Sequence, residues 1–261
     1  MEKFYKTFSF AGLGFLRANH LTQLRSIEED ARSLFRELAV RHGASFDNMK
    51  AQINQDLFAL YSLGWKRGGY FVEFGATNGV DLSNTYLLEK DFGWTGILAE
   101  PAKVWHAALG RNRSAIVDFD CVWKESGKSL PFAVVETAEF STLGAFSQED
   151  GHRRLRESAN WQTVNTVSLN DLLERHRAPA VIDYLSIDTE GSELEILNAF
   201  DFGRHTFSVI TCEHNFSSRR KDIYDLLGRN GYVRVFAGLS RWDDWYVHAS
   251  TRSGFVKEEG A

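Results

Sequence analysis

From Gly69 onward the sequence alternates short, largely apolar runs with amphipathic stretches, and this alternation constrains the fold more than any other feature. Tyr70–Phe74, Gly96–Ala99, Ala115–Val122, Val181–Ile187 and Phe207–Cys212 read as strands. The intervening pieces Asn84–Phe92, Val104–Leu109, Ser192–Phe200 and Arg219–Leu227 carry helical spacing. Strands separated by helices must run parallel, because the crossover returns the chain to the same edge direction. Val181–Ile187 is nearly all apolar, as expected of a strand covered on both faces. The last two strands, Tyr232–Phe236 and Trp245–Val247, have no helix between them, so one of them should run antiparallel. The predicted class is therefore α/β: a doubly wound, Rossmann-like, mostly parallel sheet of seven strands with one antiparallel strand.

Upstream, Leu21, Leu24, Ile27, Leu34, Phe35 and Leu38 recur at spacings of three and four, which predicts an amphipathic helix ending near Gly43. A second helix is predicted over Met49–Leu63. The expected organisation is an N-terminal helical extension over 1–48, a catalytic domain over 49–250 and a tail over 251–261. Between the third and fourth strands lies a long insertion, Lys124–Arg177, with strand-like pieces Leu130–Glu136 and Thr163–Val167 and a helix Asn170–His176. Such insertions commonly cover the active face of an α/β sheet.

Composition excludes several classes. With 30 basic against 35 acidic residues and no dense basic run, a nucleic-acid surface is not expected. Arg153-Arg154 with Arg156 and Arg219-Arg220-Lys221 are short and read as solvated faces. Two cysteines, Cys121 and Cys212, cannot build a disulfide framework or a four-cysteine zinc site. His20, His42, His106, His152, His176, His205 and His248 lack ligand spacing. No run approaches the roughly 18–20 apolar residues of a membrane span. Lys3 and Lys6 precede the apolar Phe8–Leu16 as in a signal peptide. Arg17-Ala18-Asn19-His20, however, offers no small-x-small cleavage site, so a cytoplasmic protein is expected.

In open α/β sheets ligands bind beyond the carboxyl ends of the strands, where the strand order reverses. The first strand delivers Glu73-Phe74-Gly75-Ala76-Thr77-Asn78-Gly79 there. A dinucleotide fingerprint would need glycine at 75, 77 and 80, and Thr77 and Val80 break it. What remains is a glycine turn suited to a small nucleoside ligand, with Glu73 able to neutralise a cationic group. The second strand ends at Glu100, whose carboxylate can accept both hydroxyls of a ribose. The third ends in Asp118, Asp120 and Cys121, near where an adenine would lie. Three successive strand ends each supplying an acid are far more specific than any one of them.

The runs GYFVEFGATNGVDLSNTYLLEKDFGWTGILAEP and DYLSIDTEGSELEIL, with the upstream QINQDLFALY, resemble the FkbM family of methyltransferases over about Gln52–Val247. That family has the class I methyltransferase fold and uses S-adenosylmethionine; its better-known members methylate hydroxyl oxygens of sugars and polyketides. The resemblance implies that Glu73, Gly75, Ala76 and Gly79 line the methionine and ribose part of the cofactor. It places Glu100 on the ribose diol and Asp120-Cys121 beside the adenine. Asn78 stands where the family often carries Asp. Gln55-Asp56 belongs to the resemblance too, with two readings open: closing over the cofactor, or the routine structural role of a helix N-terminal pair.

The fourth and fifth strands end in Asp188-Thr189-Glu190 and Glu213-His214-Asn215, within reach of a transferring methyl group. Asp188 is counted with the cofactor residues as well as the catalytic ones. Glu190 can serve equally as a helix N-terminal charge. His214 is either a structural strand histidine or the general base, and Asp188 or Glu190 would need a raised pKa to replace it. Asp188, Glu213 and Asn215 are oxygen donors of the kind magnesium uses, though the resemblance requires no metal. The expected activity is O-methylation of a sugar, glycan or related small-molecule hydroxyl. The alternatives are a silent interaction module of the same fold and, disfavoured by the broken glycine pattern, a nicotinamide oxidoreductase. The Leu21–Leu38 stripe could serve a homodimer.

Overall fold

The computed structural model describes residues 17–134, 142–143 and 159–251, with side chains from residue 29 onward. Helix α1 covers Arg17–Arg41, and the chain divides into two compact units at Leu34/Phe35. Within the larger unit, helices α2 (Gln55–Ser62), α3 (Tyr86–Phe92), α4 (Lys103–Asn112), α5 (Leu169–Arg175), α6 (Glu193–Asn198) and α7 (Arg220–Arg229) surround two sheets. Among the described residues no helix is long and apolar enough to cross a membrane.

The main sheet holds β1 (Tyr70–Phe74), β2 (Thr95–Ala99), β3 (Ile116–Asp118), β8 (Val181–Ile187), β9 (Thr206–Glu213), β10 (Tyr232–Val235) and β11 (Asp243–His248). Their spatial order is β10-β11-β9-β8-β1-β2-β3. The chain moves outward from β1 through β2 to β3, then returns to lay β8 against the free side of β1. Strand β9 follows parallel to β8, and β11 runs antiparallel to both β9 and β10. This is the seven-stranded class I methyltransferase arrangement. Its order reverses between β1 and β8, which makes the carboxyl ends of those two strands the natural ligand crevice.

The burial pattern follows from the strand sequences. One face packs Val72, Phe74, Leu185, Ile187 and Ile210 against Leu172 of α5, Ile196 of α6 and Ile223 of α7. The opposite face packs Phe71, Leu98, Val209 and Trp245 against Leu57 and Phe58 of α2, Leu88 of α3 and Leu109 of α4. Phe35, at the end of α1, meets Tyr61 and Phe236 edge-on with centroids at 5.2 and 5.8 Å. Trp245 stacks on Phe58 at 4.6 Å and is fully buried, which assigns it to the core.

Two predicted elements are corrected. The strand expected over Ala115–Val122 is broken: β3 pairs with β2, whereas β4 (Cys121–Trp123) leaves the main sheet and pairs with β7 (Asn160–Ser168). The Arg175 guanidinium spans the break, donating to both Asp118 and Asp120 at 2.8 and 2.9 Å. The helix expected from Met49 starts only at Gln55, since Asn54 adopts a left-handed φ of 68° that an α-helix does not allow.

The insertion builds a second, four-stranded sheet in the order β4-β7-β5-β6, with β5 at Ser129–Val134 and β6 at Thr142–Leu143. The expected strand residues 135–136 lie outside the described set. Strand β7 runs straight into α5, where the Ser168 hydroxyl caps the helix by accepting from the Asp171 amide. Phe132 of β5 and Leu143 of β6 pack with Cys121, Trp123, Val164 and Ala102, which puts this sheet beside the crevice.

Candidate active site

Gly75 follows β1 with φ 73°, and its amide donates to the Ala99 carbonyl at 3.1 Å. A Cβ built on it would lie 2.2 Å from the Asp188 carbonyl oxygen. The turns after β1 and β8 therefore touch backbone to backbone, which only glycine permits. Beside this contact opens a cleft lined by Gly75, Thr77, Glu100, Cys121, Asp188 and Glu190. Phe132 and Leu143 from the second sheet complete its wall.

Glu100 sits on the β2 side of the cleft, nearly inaccessible to solvent. It accepts from the Thr77 and Ala102 amides, both at 2.8 Å. Burial outweighs those two bonds and, with the nearby Asp188 charge, pushes its carboxyl up to about 7. Thr77 holds this arrangement at a left-handed φ of 47°, an uncommon conformation for a β-branched residue. Strain of this kind collects at functional sites.

Across the crevice, Asp188, Glu190 and Glu213 bring carboxylate oxygens within 4.8 Å of one another. Burial raises Asp188 to about 6, against a hydrogen bond from Glu213 that lowers it; the charges of Glu193 and Glu73 add to the rise. Glu213 is held well above the usual carboxylate range by burial, then by Asp188, Glu190 and Glu193. Glu190 adopts φ 57°, and Asn215, the third oxygen donor expected near a metal, sits in a turn at φ 41°. Glu193 caps the turn by accepting from the Thr189 and Gly191 amides, each at 3.0 Å.

Of the residues expected on the cofactor, Gly75, Glu100, Cys121 and Asp188 meet at the cleft, and the catalytic candidate Glu190 joins them. The others do other work. Glu73 turns away into the protein, accepting from the Asn84 amide at 2.6 Å and the Thr85 hydroxyl at 2.5 Å. Ala76 is buried in the α2–α3 side of the core. Asn78 clips its own turn, its side-chain oxygen accepting from the Val80 and Asp81 amides at 2.9 Å. A Cβ at Gly79 would lie 2.6 Å from side-chain carbons of Leu109 and Arg113, so that glycine serves helix contact rather than ligand approach. Asp120 is drawn off to Arg175.

His214, expected as a candidate general base, has both ring nitrogens engaged within its own turn and with β11. Its Nδ1 accepts from the Phe216 amide at 2.9 Å, and its Nε2 lies 3.0 Å from the Asp243 carbonyl, an acceptor only. Nε2 therefore carries the proton and Nδ1 has none to give or room to take. Burial, followed by the Arg220 charge, lowers its pKa further. The ring is a clip that holds the left-handed pair Asn215 and Phe216 in place.

Thr77, Phe132 and Leu143 line the cleft without any motif in the sequence that marks them. The left-handed Thr77 has no sequence signal, and the other two become lining only through the folding of the insertion.

The β1/β8 reversal, with a glycine-floored crevice and a buried acid at the end of β2, belongs to a class I methyltransferase fold. The FkbM methyltransferase domain family matches residues 73–234, well over half of the chain, and the chain belongs to that family. Among solved structures it is similar to a precorrin-6y C5,15-methyltransferase from Geobacter metallireducens GS-15, at 11% identity and TM-score 0.38 over 74% of this chain and 78% of that one. It is also similar to the fibrillarin pre-rRNA processing protein of Methanococcus jannaschii, at 11% identity and TM-score 0.32 over 70% and 66%. No curated protein matches the chain.

Proposed function

We propose that the protein is an S-adenosylmethionine-dependent O-methyltransferase acting on a hydroxyl of a sugar, glycan or related metabolite. The observation that carries the cofactor assignment is the cleft at the ends of β1 and β8, floored by Gly75 in backbone contact with Asp188 and faced by Glu100. The residues fit the group: a carboxylate suits a ribose diol, Cys121 and Phe132 offer an apolar wall for a purine, and acidic side chains favour a sulfonium. When bound there, the cofactor supplies an electrophilic methyl.

The chain's own task is then to orient the acceptor oxygen and relieve it of its proton. Asp188 is the base this geometry favours. It lines the cleft, and its carboxyl near 6 is ionised at neutral pH while basic enough to accept a proton. Glu213, held protonated beside it, fixes the Asp188 carboxyl by donating to it. Glu190, itself buried, lines the cleft beside them. The three carboxylates are also hard oxygen donors of the magnesium type, but proton removal by Asp188 needs no ion.

Calorimetry with S-adenosylmethionine and S-adenosylhomocysteine tests the assignment. Micromolar binding that weakens in Glu100→Ala is expected; no binding below millimolar by the unaltered protein would sink it. The acceptor is then found by incubating the protein with labelled cofactor and an extract of its own cells.

A further inference from the structure

The most heavily bonded side chain near the cleft does not touch it. Arg113, at the end of α4, has a side chain with no solvent exposure. Its Nε donates to Glu89 at 2.9 Å. Nη1 donates to the Gly79 carbonyl and the Ser83 hydroxyl, both at 3.1 Å, and Nη2 to the Thr85 hydroxyl at 2.9 Å. Glu73 stands 3.7 Å away and accepts hydrogen bonds from the Ser83 and Thr85 hydroxyls, so each hydroxyl bridges the arginine to the acid.

Apart from Glu89, which lies on α3, these partners share one location. Gly79, Ser83 and Thr85 lie on the turn leaving β1, and Glu73 lies on β1 itself. A planar guanidinium can satisfy several acceptors spread over such a turn at once, which an ammonium cannot. The same turn carries Thr77, whose strained backbone points its amide at Glu100. Left-handed threonine persists only where its surroundings hold it.

We infer that Arg113 is a positioning residue for cofactor binding: with Glu73, it fixes the 75–85 turn so that Thr77 holds Glu100 in its binding orientation. The inference rests on the cofactor assignment above and deepens it. Glu73 thereby gains a role it would not have as a direct ligand.

The test compares Arg113→Lys and Ser83→Ala with Lys66→Ala. The first replaces the guanidinium itself and the second removes one of the hydroxyls that bridge it to Glu73. The third breaks the Lys66–Asp183 pair near the start of β1 and β8, away from the cleft. Three quantities are read on the full chain: melting temperature, hydrogen exchange of segment 75–85, and S-adenosylhomocysteine affinity by calorimetry. Faster exchange confined to 75–85 and an affinity loss of about tenfold or more are expected for both network variants, and neither for Lys66→Ala. Should Arg113→Lys fail to fold, Ser83→Ala, which leaves both charges in place, carries the comparison. The inference is overturned if exchange of the turn is unchanged, or if affinity follows melting temperature equally in all three variants. An unaltered protein that binds no S-adenosylhomocysteine while its turn loosens in Arg113→Lys overturns the cofactor assignment and, with it, the role given to the turn.

Discussion

The carboxyl group of Glu213, at the end of β9, donates a hydrogen bond to that of Asp188, at the end of the neighbouring β8. Two carboxyls so close cannot both ionise cheaply, so one keeps its proton and the other is free to act as a base. Asp188 is the one exposed to the cleft, with a carboxyl near 6. Methyl transfer should therefore rise with pH through about 6 and level off above it. Asp188→Asn should lose about 10²–10⁴ in turnover and abolish that limb, read as labelled methyl incorporated into an extract acceptor across pH 5–9. A variant keeping most of its turnover would remove Asp188 from the role.

The backbone contact at Gly75 makes a prediction separable from its conformation. Gly64 has φ 62° and nothing within 4 Å of where a Cβ would stand, so Gly64→Ala meets only the left-handed penalty of about 1 kcal/mol. Gly75→Ala adds a collision with the Asp188 carbonyl at 2.2 Å. It should unfold at clearly lower urea concentration than Gly64→Ala and lose S-adenosylhomocysteine binding. Equal denaturation midpoints for the two variants would contradict the contact.

His214 is expected to act through structure alone. Replacing it with Ala should lower the melting temperature, because the Phe216 amide and the Asp243 carbonyl lose a buried partner, worth about 1–3 kcal/mol each. The pH dependence of methyl transfer should keep its Asp188 limb with an unchanged midpoint. Disappearance of that limb in His214→Ala would restore the imidazole as the base.

What could be read in the sequence was set by local periodicity. Apolar runs such as Val181–Ile187 mark strands, and the end of a strand places its next residue at the crevice, so Gly75, Glu100 and Asp188 were legible together. Pairings between distant residues were not. Glu73 looks like a ligand until Arg113 and the 83–85 segment arrive to satisfy it. His214 looks like a base until β11 brings the Asp243 carbonyl beside it. The break between β3 and β4 was hidden because Ile116–Asp118 and Cys121–Trp123 form one apolar-rich run although they pair in different sheets. Helix spacing likewise extends back to Met49, and only the backbone of Asn54 shows where α2 begins.

Asp56 offers a test of burial away from the cleft's own chemistry. It lies in the first turn of α2, 1% exposed, with Oδ1 accepting from the Leu57 amide at 2.8 Å and Oδ2 unpartnered. Burial outweighs the Leu57 bond and the Arg36 charge and pushes its carboxyl from 3.8 up to about 7. Between about pH 4 and 7 the folded protein therefore holds a proton that the unfolded chain has released. Stability contributed by this group is full below pH 4 and falls as pH rises toward 7. Glu100, also raised to about 7, loses stability over the same window. Asp56→Asn keeps the shape and removes one of several raised titrations, beside those of Glu100, Asp188 and Glu213, so the decline in unfolding free energy from pH 4 to 7 should become shallower without vanishing. The variant should exceed the unaltered protein by a few kcal/mol more at pH 7 than at pH 4, at 1.36 kcal/mol per pKa unit. Urea denaturation at a series of pH values measures this directly, and parallel curves for the two proteins would show that Asp56 is ionised in the fold.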